Sequence, residues 1–340
     1  MHCTLLIPDL LPPRELGAEA FAGLRTAALS ELLARASVTT TSAIFREDWL
    51  CDGFGAKAQQ DRPLAALLLQ ADGGAPAHDY WLCADPIHLR VDRNRLIIAG
   101  RAADFSADET RDLIAALNGH FGADGLEFRA PVPHRWYVRV PRVPQLVTTP
   151  LAQALNQSVK HHLPRGADAL SWHGVMNEAQ MILHAHPVTA AREARGASVA
   201  NSIWLSGGGT IPSIARPIYA AAWGGGPLLH ALAAGAGIAH DELPAGGRAL
   251  LEHTAGDRHL LEIGAAADAL REYGPAAWRE AVMILDEQWI RPLLDALRTR
   301  RLDELTIVAC NRDALLEATL TRAQLRRFWR RSRPLSAYAT

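Results

Sequence analysis

The pattern of apolar and polar positions alternates between short runs and longer periodic stretches. Cys3 to Ile7 is an apolar run stopped by Pro8, which predicts a buried strand feeding a loop. Ala18 to Ala36 follows with Phe21, Leu24, Leu29 and Leu32 or Leu33 at helical spacing. Strands are predicted at Asp79 to Cys83, His88 to Val91 and Arg95 to Ile98. A helix opens at Ser106, with Glu109 at the spacing of a capping box and Leu113, Ile114, Leu117 and Phe121 on its apolar face.

Prolines crowd residues 130–150 around the strand-like Arg135 to Val140, so a change of structural unit is expected there. Beyond it, a helix from Asp168 to Ala185 places Trp172, Val175, Met176, Ala179 and Ile182 on one stripe. Strands are predicted at Ser202 to Leu205, ending at Gly207, Gly208 and Gly209, and at His259 to Ile263. A long amphipathic helix spans Ala276 to Arg300, bent or broken by Pro292. Thr306 to Ala309 reads as the last strand, and Thr321 as the start of a terminal helix. Alternating strands and helices predict an α/β fold with a mostly parallel sheet covered by helices on both faces. The expected division is residues 1–145, a smaller strand-rich N-terminal portion, and 146–340, or else one continuous domain.

With 340 residues and 49% hydrophobic content the chain can bury a large core. Its net charge of −1 offers no global attraction to nucleic acid or an anionic membrane. The start lacks the basic region of a signal peptide, and the apolar stretch from Pro227 to Ile238 is too short to span a bilayer. Cys3, Cys51, Cys83 and Cys310 show no CxxC spacing, so reduced thiols in the cytoplasm are expected.

The densest chemistry lies in Asn177-Glu-Ala-Gln-Met-Ile-Leu-His-Ala-His-Pro187, continuing through Arg192, Arg195-Gly196 and Asn201-Ser-Ile-Trp-Leu-Ser-Gly-Gly-Gly209. Glycines directly after a strand can present backbone N–H groups to an anion, and nearby arginines supply charge-assisted donors. The alternative is that the glycines allow close packing and the arginines serve a helix end. This segment resembles the N-E-x(6)-H-x-H-P stretch of archaeal-type cofactor-independent phosphoglycerate mutases and, more closely, the bacterial RpfE-type regulatory proteins. Trp81 to Leu89, Arg135-Trp136-Tyr137, Leu285-Asp286, Trp289, Pro292 to Leu294 and Phe328-Trp329 extend the resemblance over most of the chain. One departure is Thr189, where the mutases usually carry Asn.

The resemblance implies an alkaline-phosphatase-like sheet, with two manganese or zinc ions held by Asp and His at strand ends and a Ser nucleophile between them. Measured against that pattern, Asp9 is the one candidate remnant ligand, in Pro8-Asp9-Leu10. Gln59 to Pro63 offers no hydroxyl before the apolar Leu64 to Leu69. Gly264 to Asp268 and Cys310 to Asp313 lack the family's His and Asp sets. His161, His162, His173, His184 and His186 form a rival cluster, but His173 and His184 lie about 16 Å apart along a helix, too far to share an ion.

The leading expectation is therefore a non-catalytic regulatory or metabolite-binding protein. His186, Arg192, Arg195, Asn201 and Gly207 to Gly209 would contact a small phosphorylated or carboxylated anion, with no cofactor and no metal. One alternative is an active mutase or phosphatase using manganese or zinc on Asp9, Asp61, Asp85 and some of the histidines. The other is a scaffold for a protein partner with a vestigial pocket. The arginine-rich end around Phe328 and Trp329 is expected to pack its aromatic residues inward, which argues against nucleic acid.

Overall fold

Strand β1 (His2–Leu6) is followed by α1 (Ala27–Arg35), β2 (Ser37–Ser42), α2 (Arg46–Gly53), α3 (Leu64–Ala71), β3 (Tyr80–Asp92), β4 (Arg95–Arg101) and α4 (Ala107–Phe121). Next come β5 (Glu127–Val132), β6 (Arg135–Val140), α5 (Leu151–Ala154), α6 (Ala169–Ala185), α7 (Pro187–Ala194), β7 (Ser202–Gly209), β8 (Ala221–Gly224), α8 (Pro227–Ala236) and β9 (Ala239–Asp241). The rest are α9 (Gly247–His253), β10 (Arg258–Glu262), α10 (Ala265–Tyr273), α11 (Pro275–Leu285), α12 (Arg291–Arg298), β11 (Glu304–Cys310) and β12 (Ala314–Thr321). This computed structural model describes residues 1–92, 95–102, 104–253 and 257–339.

Two compact units emerge, one of Met1–Gly55 with Ile214–Thr340 and the other of Ala56–Ser213. The division differs from the one expected near residue 145. The proline-rich stretch lies inside the second unit, where Arg135–Val140 pairs with β3 and β5 and is held by its ladders. The N-terminal strand belongs to the first unit, whose sheet it shares with strands from the end of the sequence.

The first unit carries a seven-stranded sheet in the order β2-β12-β11-β1-β10-β8-β9. Strand β1 pairs in parallel with β10 and β11, β10 with β8, and β8 with β9. Strands β12 and β2 add antiparallel at one edge. His259 to Glu262 are all buried, as a strand covered on both faces requires. The core collects Leu5, Ile7, Leu29, Leu32, Leu261, Trp278, Leu293 and Ile307.

The long amphipathic helix forms as α11 and α12, joined by a π-helical turn at Asp286–Ile290 just ahead of Pro292. The extra residue turns Asp286 toward the start of α1, where its carboxylate accepts from the N–H groups of Ala28 (3.2 Å) and Leu29 (2.6 Å). It caps a helix whose own Thr26 side chain makes no capping bond.

Past β12 the expected terminal helix is replaced by short 3₁₀ turns at Gln324–Arg326 and Leu335–Tyr338. Phe328 and Trp329 are 80% and 65% exposed, contrary to the inward packing expected of them. Without a continuous helix there is no apolar stripe to carry them in.

The second unit holds a five-stranded antiparallel sheet of β4, β3, β6 and β5, with β7 on the other edge of β3. The two predicted strands around Pro86 are one strand. Pro86 falls where the partner on one edge changes from β6, along Tyr80 to Cys83, to β4, from Ile87 onward, so its missing N–H breaks no ladder bond. The capping box of α4 forms as predicted, with Glu109 N–H donating to Ser106 Oγ and Ser106 N–H to the Glu109 carboxylate. Leu113, Leu117 and Phe121 of α4 and Trp172, Met176 and Ala179 of α6 pack onto Trp136, Trp204 and Leu205. Among the described residues no helix is long and apolar enough to cross a membrane.

Candidate functional site

In the second unit, α6 ends at His186, which starts α7 by accepting the Val188 N–H on Nδ1 at 3.2 Å, with Pro187 at the first helical position. Thr189 is buried and donates its hydroxyl to Leu183 O at 2.6 Å. One turn on, Arg192 is 1% exposed. Its guanidinium donates to Ser198 O (2.5 Å), Asp104 O (3.2 Å) and Glu109 (2.7 Å), and lies 4.2 Å over the Phe105 ring. Arg195 donates to the other oxygen of Glu109. Burial raises the Glu109 carboxyl but is outweighed by the Ser106 N–H and the Arg195 and Arg192 charges, which hold it below the usual range.

Asn201 acts as a strand partner, with Oδ1 accepting from Leu89 N–H (2.7 Å) and Nδ2 donating to Leu89 O (2.8 Å). The three glycines end β7 under close packing. A Cβ on Gly207 would stand 2.9 Å from Leu64 Cβ, on Gly208 2.4 Å from the Tyr80 hydroxyl and on Gly209 2.5 Å from Pro63. The structure therefore joins Arg192 and Arg195 on Glu109, while His186, Asn201 and the glycines each have a separate local partner. Of the two arginines only Arg195, with a half-exposed side chain, has surface left for a ligand.

Asp61, from the region expected to supply a nucleophile, is buried. It accepts from the backbone and hydroxyl of Thr148, and Thr148 Oγ1 in turn accepts from Gly207 N–H at 3.1 Å. Burial pushes the Asp61 carboxyl up, against the pull of Thr148 and the Gly208 N–H.

Within the first unit, the carboxyl ends of the parallel strands gather a second set of charged groups, the position at which open α/β sheets expose chemistry. Asp9 follows β1 with φ of 52°, its N–H donating to Cys310 O and its carbonyl accepting from Trp278 Nε1. Burial pushes its carboxyl up to about 6, with the charges of Arg312 and Arg271 opposing and Asp313 adding to the rise. After β11, Asn311 Oδ1 accepts from Asp313 and Ala314 N–H, and Nδ2 reaches Leu11 O at 2.8 Å, so Cys310 to Ala314 forms a self-bonded turn. Asp313 accepts from Arg14 N–H, Arg312 pairs with Glu15, and Asp268 pairs with Arg271.

At the end of β10, Glu262 is 4% exposed and accepts from the Arg46 guanidinium. Its Oε2 is buried without a hydrogen-bond partner, against Gly225. Gly224 and Gly225 both have positive φ and lead to Gly226, which starts α8 without a side-chain cap. Arg46, Glu262 and this glycine turn were not singled out by the sequence. Pro227 directly after three glycines was the available signal of a helix start.

The two-metal arrangement implied by the sequence resemblance does not fit these residues. Among the described residues no three His, Cys, Asp or Glu side chains converge on a point that could hold a metal ion. Of the best-placed carboxylates, Glu262 pairs with Arg46, and Asp9 is held under the opposing charges of Arg312 and Arg271.

Residues 84–189, all in the second unit, match the family model of 2,3-bisphosphoglycerate-independent phosphoglycerate mutase. Over the whole chain the fold is similar to that of the cofactor-independent phosphoglycerate mutase from Thermoplasma acidophilum. The TM-score is 0.53 at 15% identity, covering 100% of this chain and 95% of that one. The core of this chain is phosphoglycerate-mutase-like. A Pyrococcus horikoshii protein shares the mutase-like fold with a TM-score of 0.53 at 14% identity, covering 94% of this chain and 87% of its own.

A probable 2,3-bisphosphoglycerate-independent phosphoglycerate mutase of Geobacter sulfurreducens is 33% identical over 132 residues, 38% of this chain and 33% of that protein. The mutase of Methanothrix thermoacetophila is 40% identical over 70 residues, 21% and 18% of the two chains. The mutase-like match thus spans about a third of the length of these relatives or less.

Proposed function

We propose that this protein is a non-catalytic, RpfE-type regulatory protein of the cytoplasm that binds a small phosphorylated or carboxylated metabolite on its mutase-like core, without metal. The observation that carries this reading is the engagement of Glu262 by Arg46 at the carboxyl end of β10. Phosphoryl transfer requires concentrated positive charge on the phosphoryl oxygens and a nucleophile in line. A fixed guanidinium can attract an anion but cannot activate water or a hydroxyl as a bound metal does. Arg271 and Arg312, whose charges act on Asp9, add two further guanidinium groups at the same strand ends, paired with Asp268 and Glu15. Four buried cysteines that form no disulfide support a reducing compartment.

Metal analysis of the purified protein, paired with conversion of 3-phosphoglycerate to 2-phosphoglycerate with and without manganese, tests the reading. The expected result is neither bound metal nor turnover, together with thermal stabilisation by at least one phosphoglycerate, phosphosugar or nucleotide. Stoichiometric metal with turnover would establish an active mutase and overturn the proposal. Absence of stabilisation by every such compound would favour a scaffold with a vestigial pocket.

A further inference from the structure

A cleft in the second unit carries a different chemistry from the strand-end set. The chain after α5 is tied to β4 by bridges between Ile97 and Ser158 and between Ile98 and Leu155, and by the Asn156 N–H to Ile98 O bond of 3.0 Å. Asn156 takes a left-handed conformation, φ 58°, that reverses the chain. Val159, 7% exposed, anchors the following 3₁₀ turn in the core. That anchoring leaves Lys160 and His161 exposed on the turn and His162 half-buried beside them.

Together with Arg95, Gln157 and Ser158 they line a cleft of about 500 Å³, within the range of small-molecule sites. No carboxylate is among its described lining residues. In a chain of net charge −1 this is a local concentration of one sign. Burial pushes the His162 imidazole below its usual range, and the neighbouring His161 and Arg165 add to the shift. Arg165 also holds the turn by donating to His161 O at 2.8 Å.

We propose that this cleft binds a phosphoryl-bearing anion, with Arg95 and Lys160 supplying charge and Ser158, Gln157, His161 and His162 supplying directed hydrogen bonds. A guanidinium and an ammonium lining one cleft suit a group with several anionic oxygens, which can accept from both at once. The site is independent of the strand ends of the first unit and does not rest on the function proposed above.

Isothermal titration of the full chain with pyrophosphate, inorganic phosphate and citrate tests it, alongside the variant Arg95→Ala with Lys160→Ala. Both side chains are exposed, so unfolding by denaturant should be unchanged in the variant. The expected result is pyrophosphate binding that weakens at least tenfold in the double variant and falls with added salt. Pyrophosphate should also shift the His161 and His162 ring resonances in the wild type. Inorganic phosphate should bind more weakly than pyrophosphate, and binding of phosphate in preference would assign the site to the free ion. Citrate binding as tightly as pyrophosphate would overturn the phosphoryl assignment. Absence of binding overturns the site itself, as does affinity that the double variant leaves unchanged but Arg271→Ala with Arg312→Ala removes.

Discussion

Glu262 accepts from the Arg46 guanidinium through one carboxylate oxygen and keeps the other buried without a partner. Burial raises its carboxyl above the usual range, and the Arg46 charge only partly offsets the rise. Removing the arginine leaves a buried charge with nothing opposite it. Arg46→Met should therefore destabilise the fold by about 3 kcal/mol in urea unfolding. Arg46→Met combined with Glu262→Gln should recover most of that loss. Equal losses in the single and double variants would show that the pair does not act as a unit.

Asp9 gives a pH signature. Its folded carboxyl, at about 6, lies above the unfolded value of roughly 3.9, so the native state holds a proton that the unfolded chain has lost. The associated stability is fully present below about pH 4 and is lost as pH rises through about 6. Asn tolerates the left-handed backbone at this position, making Asp9→Asn the matched control. Between pH 4 and 7 the wild type should lose on the order of 2 kcal/mol relative to this variant, measured as unfolding free energy against pH.

Arg192 is a core residue that happens to be charged. Replacing it by Leu would take the guanidinium donors from Ser198 O and Asp104 O and leave Glu109 with only Arg195 and the Ser106 N–H, and the expected loss is about 3 kcal/mol. Arg195→Ala, at the exposed end of the same carboxylate, should cost less than about 1 kcal/mol. Denaturant midpoints of the two variants check the difference, and equal losses would contradict it.

Gly208 and Gly174 should respond in opposite directions to the same change. Gly208→Ala forces a methyl against Tyr80 and Leu82, at a cost of about 2 kcal/mol. Gly174, within α6, meets nothing within 4 Å, so Gly174→Ala should stabilise by about 0.5 to 1 kcal/mol. Melting temperatures of the pair provide the measurement.

What the sequence revealed follows the strength of its local signals. Ser106 and Glu109 announce the start of α4 because both halves of the capping box lie in one turn of chain, and the apolar run before Gly207 announces β7 because it is buried throughout. Strand β2, Ser-Val-Thr-Thr-Thr-Ser, is exposed along its whole length and offers no apolar alternation to read. Strand β12 was missed because its partner β11 precedes it by a three-residue turn whose geometry rests on the Asn311 side chain. The unit boundary at Ser213 falls in a stretch rich in Gly, Ser and Pro, Ser206 to Pro217, but its glycines are packed into the end of β7 and do not read as a linker, and the boundary at Gly55 is marked only by Gly53 and Gly55. At the candidate site, sequence could name Arg192 and Glu109 as charges but not that each is the other's partner across 83 positions.

The order in which β1 finds its neighbours has a consequence for synthesis. His2 to Leu6 pair with Arg258 to Glu262 on one side and Glu304 to Val308 on the other, and the Met1 amino group reaches Asp303 across 302 positions. The apolar β1 therefore waits for segments synthesised long after it, while Ala56–Ser213 can complete its own sheet from residues already in hand. At the usual pace of roughly 5–20 residues per second, that wait lasts tens of seconds or less. During it the unpaired edges of β1 are open to the wrong strand, so a chaperone that shields the nascent chain should raise the yield of folded protein.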